Sequence, residues 1–246
     1  EEKLKNEFKG VERSYLPIGS ILRIDEVDKK GSAKITKHKG EKISTLPNIP
    51  NGGFKKKTDV FFNIFWGGIH IPRKALNLGL DALSLLPNDL KWKLHITGKG
   101  KLTNKWKKYA IKRGVIKNCI FYGFLKKRDQ IYKIMKNCDV HLFTSVKEDT
   151  PSMIMETISV GIPTICFNLF GAKDMVTNKS GIRVPVSADY KKNVINLKKA
   201  IIRIAVNSKY KKKLFEGTKK LSKIMTWDRN ISILNNSYLK LISNKN

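Results

Sequence analysis

A chain of 246 residues, of which 41% are hydrophobic and 28% charged, is long enough for one large α/β domain or two small ones, and its composition excludes an intrinsically disordered protein. No apolar run approaches the roughly 18 to 20 residues that a membrane-spanning helix needs, and the first residues do not resemble a secretory signal. We therefore expect a cytoplasmic protein. The chain opens on Glu1 rather than on Met, so we expect a piece of a longer protein or a trimmed chain.

The net charge of +30 is compatible with three kinds of partner: nucleic acid, an anionic membrane surface or anionic substrates. Only eight of the 50 basic residues are Arg, although surfaces that read phosphate or bases favour the planar fork of Arg. The lysines also occur along the whole length, which indicates a general compositional bias. The charge therefore argues against nucleic-acid binding and favours, at most, peripheral attachment to the inner face of an anionic membrane.

Residues 1–58 show no clear hydrophobic period. The paired Pro, Asn and Gly residues of positions 46–53 mark a linker or a domain edge. We leave residues 1–58 unassigned, as the remnant of another domain with its linker, and place one regular domain over residues 59–246.

From residue 59 onward, apolar strands alternate with amphipathic helices. The predicted strands are DVFFNIFW, KWKLHIT, NCIFYG, DVHLFTS, PTICFN and SGIRVPV, and the predicted intervening helices are RKALNLGLDALSLL, KWKKYAIKR, RDQIYKIMKN and PSMIMETISV. Helices over 189–206 and 209–222 follow, and a final helix carries one apolar stripe made of Trp227, Ile231, Leu234, Tyr238 and Leu241. This order predicts an α/β fold, a Rossmann-like doubly wound parallel sheet with extra C-terminal helices.

In such a sheet, ligands bind beyond the carboxyl ends of the strands. The loop at 66–74 has two glycines that permit close backbone approach, and Arg73 and Lys74 lie near a helix start whose free amides favour an anion. The alternative is an ordinary glycine turn with solvated cations. The loop at 98–100, Gly-Lys-Gly, lacks the third glycine of a dinucleotide fingerprint, so we interpret it as a tight turn and not as an NAD site.

The stretch KEDTPSMIMETISVGIPTI carries two carboxylates, Glu148 and Glu156. Pro151 can take the first helical position, because its missing N–H would have no partner there, and the amides of Ser152 and Met153 are then free for an anion. A carboxylate at Glu156 is costly on a helix that is apolar on most sides, unless a polar group meets it. The alternative is that Glu148 is a solvated loop residue and Glu156 an ordinary helix former.

These motifs together resemble those of the family 4 retaining glycosyltransferases, in the C-terminal, donor-binding half of the GT-B fold. The resemblance covers about residues 60–243. It rests on the Glu-x7-Glu pair, FWGGIHIPRKAL, Gly161-Ile162-Pro163, Asn168-Leu169-Phe170-Gly171 and Gly181-Ile182-Arg183-Val184-Pro185.

The resemblance implies a role for each matching position. Lys74 matches the lysine that binds the donor diphosphate, Glu148 the acid beside the transferred sugar, and Glu156 the acid that holds the ribose hydroxyls. The remaining donor-binding positions implied are Gly68, Arg73, Phe124 near the base, Thr150, Ser152 and Met153.

The family transfers a sugar from a nucleotide-diphosphate sugar to a glycan or lipid-linked acceptor with retention of configuration, and uses neither a cofactor nor a metal. The sequence agrees in having no Asp-x-Asp motif, since the acids at 25–28 have the wrong spacing. Lys74 and the helix amides would stabilise the departing diphosphate and Glu148 the anomeric centre, so Lys74 and Glu148 are the candidate catalytic residues. By analogy with the family, we expect a role in a cell-surface glycan pathway.

The sequence departs from the family pattern in three ways. Ile69 replaces a loop arginine, for which Arg73, Lys99 or Lys101 could compensate; Asn168 and Phe170 replace Asp and Gly; and the N-terminal acceptor domain is absent or reduced to residues 1–58. Two alternatives to catalysis stay open: a truncated, non-catalytic sugar-nucleotide-binding module, and a basic protein that associates with an anionic membrane or nucleic acid. A glycosidase is disfavoured, because both acids flank an anion-binding helix start.

Overall fold

A computed structural model describes residues 11–15, 24–27 and 61–243. The chain divides into two compact units, Glu1–Thr45 and Leu46–Asn246. In the first unit, strand β1 (Val11–Tyr15) pairs antiparallel with β2 (Ile24–Val27). The predicted linker at 46–53 and the predicted domain boundary after residue 58 lie outside the described residues.

The second unit contains six strands and eight α-helices among its described residues. The strands are β3 Phe62–Gly67, β4 Trp92–Thr97, β5 Cys119–Gly123, β6 Val140–Phe143, β7 Thr164–Phe167 and β8 Gly181–Val184. The helices are α1 Leu76–Ser84, α2 Thr103–Lys112, α3 Arg128–Lys136, α4 Ser152–Ser159, α5 Phe170–Met175, α6 Tyr190–Val206, α7 Ser208–Ile224 and α8 Trp227–Ser243. Two 3₁₀ turns cover Pro72–Lys74 and Ile116–Asn118.

The six strands form one parallel sheet in the order β5-β4-β3-β6-β7-β8. In the middle of the sheet, Phe65 of β3 pairs with His95 on one side and with His141 on the other. The chain order reverses between β3 and β6, and the sheet therefore has a topological switch point there. The predicted doubly wound parallel sheet is confirmed.

Helices cover both faces of the sheet, and each face has its own apolar core. One core packs α1, α2 and α6 on the sheet, and the other core packs α3, α4 and α5 on the opposite face. All six residues of β3 are buried, as expected of a central strand that is covered on both sides. Cys138 and Cys166 are buried, whereas Cys119 on the edge strand is half-buried.

Helix α1 is nearly enclosed, and it carries one buried acid, Asp81. The hydroxyls of Tyr109 and Tyr190 donate to this carboxylate at 2.8 and 2.5 Å, and Arg113 Nε lies 2.7 Å from it. A buried charge is stable only when it is paired and hydrogen-bonded. This cluster supplies both conditions and links α1 to its two neighbours, α2 and α6.

Helix α7 runs along the amino ends of the strands. Its Lys211 pairs with Asp139, just before β6, at 3.2 Å, and the hydroxyl of Thr218 donates to the carbonyl of Ser180, just before β8, at 3.1 Å. In α8, Ile231 of the predicted stripe is exposed, while Leu234 and Tyr238 are half-buried. No helix in the described part of the chain combines the length and the apolar character that crossing a bilayer requires.

Candidate functional site

The candidate site lies at the carboxyl edge of the sheet, around the switch point between β3 and β6. The loop that follows β3 and the loop that follows β6 meet there, because the two strands are neighbours in the sheet. Helix α4 begins at the end of the second of these loops. Of the residues that the sequence singled out, Gly68, Arg73 and Lys74 lie on the first loop and Glu148 and Thr150 on the second. Ser152, Met153 and Glu156 belong to α4, and Phe124 follows β5.

Lys74 ends the 3₁₀ turn after β3, and its side chain is buried. The next residue, Ala75, has φ 46° and ψ 42°, a left-handed conformation that turns the chain sharply into α1. Gly68 lies against the lysine stem, since a Cβ added at Gly68 would be 3.5 Å from Lys74 Cε. That distance is an ordinary van der Waals contact, so the backbone φ of 148° at Gly68, and not a lack of space, is what favours glycine there.

The glycines at 98 and 100 serve the close approach of two loops. A Cβ added at Gly98 would be 2.0 Å from the carbonyl oxygen of Gly68, and one at Gly100 would be 2.6 Å from that of His70. The amide of His70 donates to the carbonyl of Lys99 at 3.2 Å. The tight-turn interpretation of Gly-Lys-Gly agrees with this geometry.

Glu148 is the centre of a charged cluster. Its carboxylate lies 2.7 Å from Lys74 Nζ, contacts the guanidinium of Arg73 and accepts from the hydroxyl of Ser145 at 3.1 Å. Burial raises the pKa of Glu148, but Lys74, Arg73 and the Ser145 hydroxyl outweigh burial and hold the pKa below its usual range. The carboxylate is therefore ionised at neutral pH.

A second set of hydrogen bonds fixes the backbone that carries Arg73 and Lys74. Thr144 Oγ1 donates to the carbonyl of Lys74 at 2.7 Å and accepts from the indole N–H of Trp66 at 3.0 Å. The amide of Val146 donates to the carbonyl of Arg73 at 2.9 Å. The sequence reasoning did not assign this supporting role to Trp66 or Thr144, although their position at the carboxyl ends of β3 and β6 was a usable signal.

Helix α4 begins at Ser152, one residue later than predicted. Pro151 has ψ 88°, which is not helical, so it precedes the helix and does not occupy the first helical position. Its carbonyl accepts from the amide of Ile154 at 2.9 Å. The amides of Ser152 and Met153 donate to no residue within the described ranges, as expected at a helix start.

The loop before α4 is held by a close backbone contact from α5. The amide of Gly171 donates to the carbonyl of Glu148 at 3.1 Å, and a Cβ added at Gly171 would be 1.8 Å from the carbonyl oxygen of Asp149. Thr150, in the same loop, is exposed. A side chain at position 171 would therefore displace the loop that carries Glu148 and Thr150.

Glu156 lies one turn into α4 and takes no part in the Glu148 cluster. Its carboxylate is half-buried and accepts no hydrogen bond from any residue that the structure describes. Burial raises the pKa of Glu156, and the charge of Arg128 at the start of α3 opposes that rise. The carboxylate retains its full capacity to accept hydrogen bonds from a ligand.

Phe124 lies just after β5, the edge strand that β4 separates from β3. Its ring is 62% exposed, and Lys99 Nζ lies 5.5 Å from the ring centre. Ile69, which replaces the loop arginine, is 59% exposed. Of the three cations considered as replacements, only Arg73 contacts Glu148 among the described residues, while Lys101 is exposed.

Two buried histidines lie near the site: His141, to which the sequence assigned no role, and His70, which the sequence favours as a local hydrogen bonder rather than a catalyst. His141 on β6 is fully buried, with Nδ1 3.1 Å from the hydroxyl of Thr157 on α4. Burial, together with the charge of Lys74, lowers its pKa to about 3, so the ring is neutral. Burial also lowers the pKa of His70, whose Nδ1 lies 2.8 Å from the Thr103 hydroxyl.

Comparison with known families and sequences gives similarities over most of the second unit. Residues 55–221 match the family described as "Glycosyl transferases group 1", and residues 1–48 match a domain of unknown function. Protein CapJ of Staphylococcus aureus is 27% identical over 167 residues, which are 66% of this chain and 41% of CapJ. The lipopolysaccharide 1,6-galactosyltransferase of Salmonella typhimurium is 33% identical over 88 residues, 35% of this chain and 24% of that enzyme. The chain therefore spans less than half the length of these two relatives.

Solved structures share the fold of the second unit. The apo lipopolysaccharide outer core galactosyltransferase WaaB has a TM-score of 0.61 at 20% identity, over 81% of this chain and 53% of WaaB. Anabaena HepE in complex with UDP has a TM-score of 0.61 at 17% identity, over 75% of this chain and 49% of HepE. These likenesses confirm the predicted Rossmann-like half of a GT-B fold.

Proposed function

Because this chain belongs to the group 1 glycosyl transferases, we propose that it binds a nucleotide-diphosphate sugar at the carboxyl edge of its sheet and takes part in transfer of the sugar to a glycan or lipid-linked acceptor. The observation that carries the proposal is the cluster of Lys74, Arg73 and Glu148 beside the start of α4. Cations and free helix amides at one edge of a parallel sheet are suited to a diphosphate.

In this proposal, the departing diphosphate is stabilised by fixed charge. Lys74 is buried, so its interaction with developing negative charge is less screened than that of a surface lysine. The amides of Ser152 and Met153 provide further donors, and Arg73 takes the place of the arginine that Ile69 replaces. These groups balance the charge of the leaving group without a metal or a cofactor.

Glu148 acts as an ionised carboxylate beside the transferred sugar. Its pKa is held below the usual range, so it cannot serve as a general acid at neutral pH. Instead it accepts hydrogen bonds from the sugar and moderates the positive charge at the anomeric centre. We assign the chain to the family 4 type, in which the acceptor attacks from the same face and configuration is retained.

The remaining contacts bind the nucleotide. Glu156 accepts hydrogen bonds from the ribose hydroxyls, which offsets the cost of its half-buried carboxylate. Phe124 lies near the base, and Gly68 and Thr150 contact the donor through the backbone. We propose that the whole protein also binds the acceptor and attaches peripherally to an anionic membrane.

Calorimetric titration with UDP- and GDP-sugars tests the donor site. We expect Lys74→Ala and Glu156→Ala each to weaken binding about tenfold or more, because each removes a charge-assisted contact. Lys105→Ala removes an exposed lysine from α2 and serves as the matched control, with affinity unchanged. Full affinity retained in both site variants would overturn the assignment.

A non-catalytic sugar-nucleotide-binding module is the second candidate, and the exposed Ile69 in place of the loop arginine favours it, because an isoleucine offers no charge to a departing diphosphate. Release of nucleoside diphosphate from a bound donor, with and without added acceptor, separates an enzyme from a binder.

A basic nucleic-acid-binding protein is tested by a gel-shift titration on DNA at rising salt. Tight DNA binding at physiological salt, with no effect of nucleotide sugars on melting, would favour that class instead.

A further inference from the structure

Helix α7 has one side fixed against the amino ends of the strands. Lys211 lies against Asp139 and over the ring of Phe62, with Nζ 5.7 Å from the ring centre. A Cβ added at Gly217 would be 1.8 Å from the carbonyl oxygen of Lys179, so the helix touches the loop before β8 directly. The other side of α7 therefore faces away from the sheet, at the edge opposite the candidate donor site.

This outer side of α7 is strongly basic. The helix contains seven lysines and a single acid, Glu216, and six of the lysines are exposed. We call these six the basal face: Lys209, Lys212, Lys213, Lys219, Lys220 and Lys223. They are spaced three, four or seven residues apart, which places them on one side of an α-helix.

The basal face also offers a groove and two exposed aliphatic side chains. An open groove of about 460 Å³ is lined by Asn207, Lys209, Tyr210, Lys212, Lys213 and Glu216. Val206, just before the helix, is 69% exposed, and Ile224, its last residue, is 46% exposed. Lysines next to exposed aliphatic side chains are typical of helices that lie in a membrane interface.

The helices of the described domain differ in charge. Helices α3, α4 and α5, which cover one side of the sheet, together contain four basic and three acidic residues. Helix α7 alone contains seven basic residues and one acid. Helix α2 carries four basic residues and no acid, and α6 carries five and no acid, so positive charge covers several surfaces of the described domain. Helix α7 differs in presenting six exposed lysines on one face.

We propose that the basal face of α7 docks on an anionic lipid surface. Its six exposed cations are all lysines, which attract anionic headgroups as point charges. The aromatic ring in the groove, Tyr210, is half-buried and has the guanidinium of Arg203 4.4 Å from its centre, so that face of the ring is not open to a nucleic-acid base. A lipid interface can bury the exposed side chains of Val206 and Ile224, whereas a polyanion in water gives them little apolar contact. If the donor site is as proposed above, docking leaves it open to solution, because it lies at the opposite edge of the sheet.

Vesicle co-sedimentation of the full chain tests the proposal. We expect binding to phosphatidylcholine vesicles that contain about one third phosphatidylglycerol, and little binding to phosphatidylcholine alone. Each lysine near such a surface raises the partition constant roughly fivefold, so the combined variant Lys209→Gln, Lys212→Gln, Lys213→Gln and Lys220→Gln should lose binding by about a hundredfold or more. Raising NaCl from about 0.1 M to about 1 M should have a similar effect.

The control removes the same charge from other faces. We define the matched set as Lys105→Gln, Lys108→Gln, Lys126→Gln and Lys133→Gln, at four exposed lysines outside α7. This variant should retain most of the vesicle binding, and both variants should melt at about the wild-type temperature. Equal loss in the two variants would show that only total charge matters and would overturn the assignment. Preferential binding of duplex DNA over vesicles through α7 would also overturn it.

Discussion

Glu148 and Glu156 lie on the same segment but in opposite electrostatic surroundings. Two cations hold the pKa of Glu148 below its usual range, whereas burial raises that of Glu156 and only the charge of Arg128 opposes the rise. Of the elements that pack against α4, α5 and α7 present apolar side chains such as Met175 and Leu221. Helix α3 also presents Tyr132, whose pKa is raised by burial and by the charge of Glu156, and β6 presents His141, which burial keeps neutral. The charge state of Glu156 therefore depends on Arg128 more than on any other described group.

This dependence predicts a pH effect on nucleotide binding. The ionised form of Glu156 is the form that accepts the ribose hydroxyls, so affinity for UDP should fall as the pH drops through its raised pKa. Arg128→Gln removes the opposing charge and raises this pKa further, so the acid limb of the binding curve should move to higher pH. Isothermal titration across the pH range measures the shift. Lys133→Gln, on the same helix, should leave the pH dependence of UDP affinity unchanged. An unchanged pH dependence in Arg128→Gln would contradict the assignment of Glu156 to the ribose hydroxyls.

The central contact of the site was within reach of sequence reasoning. Lys74 and Glu148 each follow a strand, and the βα pattern makes those strands neighbours at the switch point. The contacts that hold the loop, such as the hydrogen bonds of Thr144 to Lys74 and Trp66, depend on side-chain geometry across separate loops. Periodicity carries no information on such pairs.

Among the helices, α1 is tied to its neighbours by the buried carboxylate of Asp81. Tyr109 on α2 and Tyr190 on α6 both donate to it, and burial together with Asp81 raises the pKa of both hydroxyls. The hydroxyls therefore stay protonated and remain donors over the whole physiological range. Because α1 follows directly after Lys74, the cluster also anchors the loop of the candidate site.

Asp81→Ala should therefore lower the free energy of unfolding by about 3 kcal/mol, since it leaves buried donors and a guanidinium without their acceptor. Urea unfolding followed by circular dichroism measures the change. Asp89→Ala, at an exposed position in the loop after α1, is the matched control and should stay within about 0.5 kcal/mol of wild type. Equal stability of the two variants would contradict a structural role for the Asp81 cluster.

Most elements were predictable because their periods are regular, and the exceptions have local causes. Helix α5 was missed because its six residues are too few to show a period, and it begins at Phe170 with a φ of 44°. The start of α4 was displaced by one residue, because a proline before a helix is compatible with either position.

For the whole molecule, a net charge of +30 implies repulsion within the folded state. We predict that the melting temperature rises by a few degrees when NaCl increases from about 0.01 M to about 0.1 M, because the Debye length falls from about 30 Å to about 10 Å. Differential scanning calorimetry measures the rise. The matched set of four Lys→Gln substitutions should show a smaller rise, and a melting temperature that falls with salt would contradict the prediction.

The ion pairs of Glu148 have a consequence for the proposed reaction cycle. Lys74 and Arg73 already share one carboxylate, so a diphosphate that enters the site exchanges one counterion for another. Such an exchange gains less affinity than two new ion pairs, and it makes binding less sensitive to ionic strength. After transfer, the same carboxylate competes with the nucleoside diphosphate for both cations. Under the proposed function, Glu148 would thereby speed departure of the product, a step that limits turnover in many enzymes.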